Sequence, residues 1–245
     1  YQKASEQGHV RAIYRIGCCF LKGEGLPIDY EEAVKAFKIA CELGHPAATF
    51  YYGLCKYNGY GCFINYVEAF ELFSKAADGG CVYGKSYLGI CYYRGDGVKR
   101  DPQKAVQILK EAADLGEREA LFMLGVCYYE GEGVNQNLEV SAWFYGRAAE
   151  KGHPLAFFKL GECYLYGDGV ECDTEEAVRC YECGMKLGDL SSLYALAKCY
   201  ATGDGVPLSN DETFKLLKEA ADRGHTESIF YLAMFHINGI SVDKN

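Results

Sequence analysis

The chain has 245 residues, of which 49% are hydrophobic and 24% are charged, with 34 acidic against 25 basic side chains and a net charge of −9. This composition is typical of a folded protein with an apolar core and excludes a disordered one. No Lys/Arg cluster forms the basic face that nucleic acid requires, and no run reaches the roughly 20 apolar residues of a membrane span. We therefore expect no nucleic-acid partner and no direct membrane insertion.

Glycines recur with a period of 36 residues along the chain. One register comprises Gly25, Gly61, Gly97, Gly133, Gly169 and Gly205. Two further glycine registers keep the same spacing without an insertion. Such strict self-similarity indicates a solenoid of stacked supersecondary units.

Residues 81–116 show what one unit contains. A first apolar stripe at helical spacing comprises Gly84, Leu88, Cys91 and Tyr92. It predicts a first helix, which ends at a GDGV segment because glycine allows backbone angles that other residues resist. Asp101 and Pro102 then have the residue types of an N-cap and a first helical turn. A second stripe, which ends at the C-capping Gly116, comprises Ala105, Ile108, Leu109 and Ala112.

The same pattern divides the whole chain into repeats. Complete repeats are predicted at 9–44, 45–80, 81–116, 117–152, 153–188 and 189–224. Residues 1–8 match the end of a preceding repeat, and residues 225–245 match the start of another. Second helices should begin near Asp29, Asn65, Asp101, Asn137, Asp173 and Ser209. Because both ends fall inside a repeat, we expect the sequence to be part of a longer protein.

The pattern A…LGxxYxxGxGVxxDxxxA…YxKAAxxG resembles that of the Sel-1-like repeat family, which is related to the tetratricopeptide repeats. The resemblance covers residues 1–245 and implies one all-α solenoid, a right-handed αα-superhelix of helix-turn-helix repeats. Similar proteins act as adaptors, so it also implies a protein-interaction scaffold that binds a protein or peptide and holds no cofactor. The alternative is a regulatory or targeting arm of a larger polypeptide with its catalytic domain outside this segment.

Enzyme activity is not expected in this segment. Some bacterial relatives have been described as penicillin-binding proteins or weak β-lactamases, but the sequence lacks an SxxK pair with its companion motifs. Paired carboxylates such as Glu31 and Glu32 open second helices, where they complement the helix dipole. Four of the five histidines, His9, His45, His153 and His225, share a turn position and are too dispersed for a common metal. We expect them to lie at helix starts.

Six cysteines also follow the period, namely Cys19, Cys55, Cys91, Cys127, Cys163 and Cys199. Equivalent helices in a stack lie about 8–10 Å apart, whereas a disulfide needs Cα atoms within about 7 Å. We therefore interpret the six as reduced core residues, in the cytoplasm or another reducing compartment. Disulfides between the non-recurring cysteines stay an open alternative.

Two other features of the second helices are interpreted as packing. Cys180 and Cys183 form a CxxC motif with Cys172 nearby, but a structural zinc site needs a second pair or a histidine. Trp143 is the only tryptophan and lies beside two aromatic residues. Core packing is the expectation for the CxxC pair and for Trp143.

A second stripe on the first helices is the candidate binding surface. It occupies positions 3, 7, 10 and 14 of each repeat, and it is where the repeats differ most. In repeats two to four its candidate contacts are Tyr51, Leu54, Tyr83, Tyr87, Ile90, Arg94, Met123 and Val126. Tyr and Met rimmed by Arg have the composition of an interaction hot spot. We expect a peptide or partner helix to dock here, in a concave groove; the alternative is that neighbouring first helices bury the stripe against each other.

Overall fold

The computed structural model describes residues 9–237, and side chains as far as residue 234. Within that range the chain is all-helical and contains no strand, as predicted. The helices are α1 (Val10–Lys22), α2 (Tyr30–Glu42), α3 (Pro46–Asn58), α4 (Tyr66–Asp78), α5 (Val82–Arg94), α6 (Pro102–Asp114), α7 (Arg118–Glu130), α8 (Leu138–Glu150), α9 (Pro154–Tyr166), α10 (Thr174–Lys186), α11 (Leu190–Thr202), α12 (Asn210–Asp222) and α13 (Thr226–Ile237). Odd-numbered helices are the first helices of the repeats, and even-numbered helices are the second. None of those thirteen is long and apolar enough to cross a bilayer.

Side-chain caps start both kinds of helix. All six predicted starts of the second helices are N-caps whose side chains accept backbone hydrogen bonds, namely Asp29, Asn65, Asp101, Asn137, Asp173 and Ser209. Histidine does the same for first helices: Nδ1 of His45 accepts from the Ala48 backbone N–H at 3.2 Å. His153 caps α9 through Ala156 in the same way. The prediction that His9, His45, His153 and His225 lie at helix starts is confirmed; the rings of the last three each satisfy a backbone donor, whereas His9 makes no side-chain cap.

Within a repeat, the two helices meet where a glycine faces a large side chain. A Cβ atom on Gly53 would lie 2.9 Å from the ring of Phe73, and one on Gly125 would lie 2.6 Å from the ring of Tyr145. The large partners are fully buried or nearly so: Phe37, Phe73, Leu109, Tyr145, Tyr181 and, where alanine replaces the glycine, Leu217. The sequence pattern included Leu109 in a stripe but did not single out this pairing, which requires contact across two helices.

Between repeats, the second glycine of five GxG loops touches the previous repeat. Gly97 has a φ of 73°, and a Cβ atom there would overlap the carbonyl oxygen of Tyr66, the first residue of α4. Gly61 approaches Tyr30 at the start of α2 in the same manner. Glycine is required at this register both for its left-handed backbone and for its missing side chain.

The described part of the chain divides into two compact units. Among the described residues, the first comprises 9–123 and Glu132–Val134, and the second comprises Leu124–Gly131 and 135–237. Buried aromatic residues such as Phe37 and Phe73 centre the core of the first unit. In the second unit the core surrounds Tyr181, Leu193 and Leu217.

The predicted leucine position of the first helices is buried to different depths. Leu124 is 0% exposed and Leu196 is 3% exposed. Leu88 and Leu160 are only partly buried, and so are the tyrosines one turn later, Tyr92, Tyr128, Tyr164 and Tyr200. Phe70 covers one edge of Tyr92, with ring centroids 5.4 Å apart, and Lys104 Nζ donates to the Tyr92 hydroxyl at 2.7 Å. The hydroxyl of Tyr92 therefore lies in a polar environment, which the interpretation of the stripe as apolar had missed.

The recurring cysteines lie in the core as predicted, except that Cys19 is only partly buried. Burial raises the pKa of Cys55, Cys91 and Cys127 to about 12 and that of Cys163 and Cys199 to about 11. The expectation for the CxxC motif needs correction, because Cys180 is buried whereas Cys183 is exposed. Cys183 lies on the solvent side of α10, so only one thiol of the pair packs. That the recurring cysteines are reduced stays a prediction.

Replacing Leu124 with alanine should destabilise the fold by about 2–5 kcal/mol, because a fully buried leucine leaves a cavity behind. Leu115→Ala is the control, since Leu115 is 65% exposed and should cost less than about 0.5 kcal/mol. Urea unfolding followed by circular dichroism measures both. Equal, small losses would show that Leu124 does not contribute to the core.

Thiol labelling should separate the cysteines by burial. Cys172 and Cys183 are exposed, whereas Cys91 and Cys127 are buried and have raised pKa values. Under native conditions iodoacetamide should modify the exposed pair first, as peptide mass mapping can show. Equal rates at Cys91 and Cys172 would contradict the packing. After denaturation without reductant, all thirteen cysteines should react; no gain in mass would contradict the reduced state.

Candidate binding surface on the first helices

The structure gives the residues of the candidate surface different degrees of exposure. Tyr83 is 55% exposed, and Arg94 also faces solvent. Partly buried members are Tyr51, Leu54, Tyr87 and Val126. Ile90 is 3% exposed and Met123 is 4% exposed. The prediction that Ile90 and Met123 contact a ligand is corrected here, because their side chains belong to the core and offer almost no surface.

An aromatic cluster in the first unit holds the half-buried tyrosines. The Tyr51 ring stacks on Phe37, with centroids 5.3 Å apart, and also meets Phe50 at 5.2 Å. Tyr87 contacts the other side of Phe50 at 5.3 Å and Phe73 at 5.2 Å. Burial raises the pKa of Tyr51 and of Tyr87. These rings are therefore held in place by the fold and remain partly accessible.

A polar link joins the first helices of repeats two and three. Tyr57, on α3, donates through its hydroxyl to Asp96 Oδ2 at 2.5 Å, in the loop of the next repeat. Arg94 Nη1 donates to the same Tyr57 oxygen at 3.1 Å. Burial, reinforced by the bond to Asp96, raises the pKa of Tyr57 to about 12. The phenol therefore stays protonated and bridges a carboxylate and a guanidinium.

In repeats two and three, Tyr57 and Arg94 fill the space between neighbouring first helices. The equivalent space in repeats five and six is open. There the second unit has a cavity of about 360 Å³ along α9, α10 and α11. Its walls include Phe158, Tyr181, Tyr194 and Lys198. Ala195 and Thr202, at positions 7 and 14 of repeat six, also line it, so the stripe singled out from the sequence does border a cavity. From the sequence, the binding site was predicted in repeats two to four because the stripe is rich in aromatic residues there. The cavity in repeats five and six was missed, because a cavity forms where side chains are small.

Residue changes between the two places explain the open volume. The residues that occupy the place in repeats two and three are Tyr57, Tyr66, Tyr87 and Arg94. Three repeats later their counterparts are Leu165, Thr174, Ala195 and Thr202. Each replacement is smaller, and three of them remove an aromatic ring.

The polar groups of the cavity are only partly paired. Glu162 forms an ion pair with Lys159 at 2.8 Å. Asp204 Oδ2 accepts a hydrogen bond from the Thr202 hydroxyl at 2.6 Å. Lys198 Nζ lies 5.8 Å from the ring centroid of Tyr194. The cavity thus combines aromatic walls with a carboxylate that has spare acceptor capacity.

A second, shallower groove of about 630 Å³ runs along α8, α9 and α10 in the second unit. Trp143 lines it and is 55% exposed, so the expectation that this tryptophan packs in the core is wrong. It lies on the outer side of α8, where Arg147 is 5.3 Å from its ring and Phe144 meets it at 4.9 Å. Among residues 9–237, no group of three or more His, Cys, Asp or Glu side chains could hold a metal ion.

Solved structures of repeat proteins resemble this chain. A Sel1 repeat protein from Oxalobacter formigenes is 29% identical, with a TM-score of 0.76 over 87% of this chain and 88% of its own. The protective antigen c5321 of uropathogenic Escherichia coli, described as having an SLR fold, is also 29% identical, with a TM-score of 0.69 over 96% of this chain. This chain spans only 50% of the c5321 structure. The immunity protein Pa5087 of Pseudomonas aeruginosa, 22% identical with a TM-score of 0.60 over 89% of this chain and 81% of its own, shares the fold.

No curated protein matches the chain. The sequence model of the Sel1 repeat matches eight consecutive segments, at residues 1–9, 10–45, 46–81, 83–117, 118–153, 154–189, 190–225 and 226–245. These segments follow the 36-residue period of the glycines and span nearly the whole sequence. The chain therefore belongs to the Sel1 repeat family.

Proposed function

We propose that this chain is a non-catalytic scaffold whose first helices bind a protein or peptide partner. Sel1 repeat proteins generally mediate protein–protein interactions, and the fold is typically non-catalytic. The proposal goes further by assigning the binding surface to the stripe of α3 and α5 in the first unit. Its residues are Tyr51, Leu54, Tyr83, Tyr87 and Arg94, whereas Val126 belongs to the second unit and is not part of this surface.

The exposed ring of Tyr83 is the observation that carries the proposal. It is 55% exposed, yet its inner edge rests on the buried Phe50, with centroids 5.7 Å apart. Phe50 is in turn held by Tyr51 and Tyr87. A large aromatic ring on a rigid base loses little conformational entropy when a partner covers it. This combination is typical of interface hot spots.

Charge at the edge of the stripe supports the same function. Arg94 faces solvent while one of its nitrogens donates to Tyr57. That hydrogen bond orients the guanidinium and leaves other N–H donors for an acidic or carbonyl group of a partner. The buried Ile90 and Met123 contribute beneath this surface and do not contact the partner.

We further propose that the chain functions in the cytoplasm or another reducing compartment. Five of the recurring cysteines are buried in the core at positions where the fold uses them as small apolar residues. The raised pKa values of their thiols disfavour the reactive thiolate. The labelling experiment described above also tests this proposal.

Tyr83→Ala should weaken binding of the partner at least about tenfold, which corresponds to about 1.4 kcal/mol. The partner is first captured with the repeat array as bait and identified by mass spectrometry, and its affinity is then measured by isothermal titration calorimetry. Ile39→Ala is the matched control, since Ile39 is a large exposed apolar residue on the second helix α2.

The two variants together decide the proposal. Circular dichroism checks that both remain folded. Unchanged affinity in Tyr83→Ala, or an equal loss in Ile39→Ala, would exclude the stripe as the binding site.

A further inference from the structure

We infer that the cavity along α9, α10 and α11 binds a tyrosine side chain of the polypeptide partner. The inference rests on the proposed function, since it assigns a specificity pocket to the first helices of the second unit. Its starting point is a comparison within the chain: the same place is filled in repeats two and three and open in repeats five and six.

Repeats two and three show what the place accommodates. Three of the chain's own tyrosine rings pack there, with Tyr57 5.2 Å from Tyr66 and 6.2 Å from Tyr87. Both contacts are edge-on, which is a favourable geometry for aromatic pairs. The filled site is therefore built for phenol rings.

Repeats five and six retain aromatic residues at the walls of this site but lack the tyrosines that fill it. Phe158 and Tyr181 stand where Phe50 and Phe73 stand in the filled site. Their ring centroids are 6.2 Å apart, close to the 5.8 Å of the filled pair. All three inner tyrosines are replaced, by Leu165, Thr174 and Ala195. A partner's ring would restore contacts that the chain itself provides elsewhere.

The acceptor for the phenol hydroxyl is also retained. Tyr57 donates to Asp96 at 2.5 Å, and in repeats four and five Tyr129 donates to Asp168 at 3.4 Å. Asp204 is the next aspartate in this register, but its counterpart donor is Leu165, which has no hydroxyl. Within the described residues, the hydrogen bond to Asp204 comes from Thr202, two residues away. Asp204 can therefore accept a second hydrogen bond, from a ligand.

These groups favour tyrosine over the nearest alternatives. A phenylalanine would fill the volume but would desolvate Asp204 without pairing it, which is costly for a charged group. An arginine could pair with Asp204, but Glu162, the other carboxylate of the cavity, is already paired with Lys159, and Lys198 lines the same cavity, where repeat three has the apolar Ile90. The lysine would repel a guanidinium and tolerate a neutral phenol.

N-acetyl-L-tyrosinamide is the probe, with the phenylalanine and arginine amides for comparison. In NMR titrations of the isotope-labelled chain, the tyrosine probe should produce saturable shifts in the backbone amides of Ala195 and Lys198. A ligand of this size should bind with a millimolar dissociation constant, and the phenylalanine probe about tenfold more weakly. No saturation by about 20 mM, or equal or tighter binding of either comparison probe, would overturn the inference.

Variants assign the binding to the cavity. Leu165→Tyr with Ala195→Tyr refills the place as in repeats two and three and should abolish the shifts. Leu187→Tyr is the matched control, since it adds a tyrosine at an exposed position after α10. Asp204→Asn keeps the volume and should remove most of the preference for tyrosine over phenylalanine, which tests the inference even if the double variant does not fold. The inference would be overturned if the tyrosine probe still bound to a folded double variant. It would also be overturned if Asp204→Asn left the preference for the tyrosine probe over the phenylalanine probe unchanged.

The result is distinguishable from that of the proposed function. If Tyr83→Ala weakens partner binding and the tyrosine probe does not bind, only the inference fails. If the probe binds the cavity and Tyr83→Ala has no effect on the partner, the proposed surface fails and the pocket stands.

Discussion

The close approach of a loop glycine to the preceding repeat is the contact on which the stacking depends. The second glycine of the GxG loop lies directly against the carbonyl of the first residue of the previous second helix, so a side chain has no room. The contact occurs at Gly61, Gly97, Gly133, Gly169 and Gly205. It fixes the distance between a loop and the start of the second helix in the previous repeat without any side-chain hydrogen bond. Because the repeats of a solenoid contact only their neighbours, each of these five contacts acts at one junction.

A second glycine register has the same backbone angle for a different reason. Gly44, Gly80 and Gly152 end second helices with positive φ, but a Cβ atom there would meet nothing within 4 Å. Their role is to end a helix, which the left-handed conformation achieves. Periodic glycines in one sequence therefore have two physical causes, and the sequence pattern by itself does not separate them.

Because these junctions hold the backbone in register, function depends on side chains that the junctions leave free to vary. Position 7 of the repeat is the clearest case. Tyr51 and Tyr87 complete an aromatic cluster, whereas Ala195 at the same position opens a cavity. One scaffold position thus provides a filled, rigid surface in one unit and an open pocket in the other.

Much of the fold follows from the sequence, because each local signal agrees with the period. The N-caps Asp29 to Ser209 were predictable from residue type and spacing alone, since capping is a local interaction. The exposure of Trp143 and Cys183 and the burial of Ile90 were not, since each depends on which neighbouring helix covers the residue. The cavity was the hardest feature to predict, because it results from several small residues that come from three helices.

The most direct test of this account compares two alanine substitutions in the first unit. Gly97→Ala and Gly80→Ala both place alanine at a positive φ, of 73° and 83°, and share a conformational cost of about 1–2 kcal/mol. Only Gly97→Ala also forces a methyl group against the Tyr66 carbonyl. The account predicts that Gly97→Ala lowers the free energy of unfolding in urea by clearly more than Gly80→Ala does. Equal losses in the two variants would contradict the claim that close approach at the loop glycine holds the repeats together.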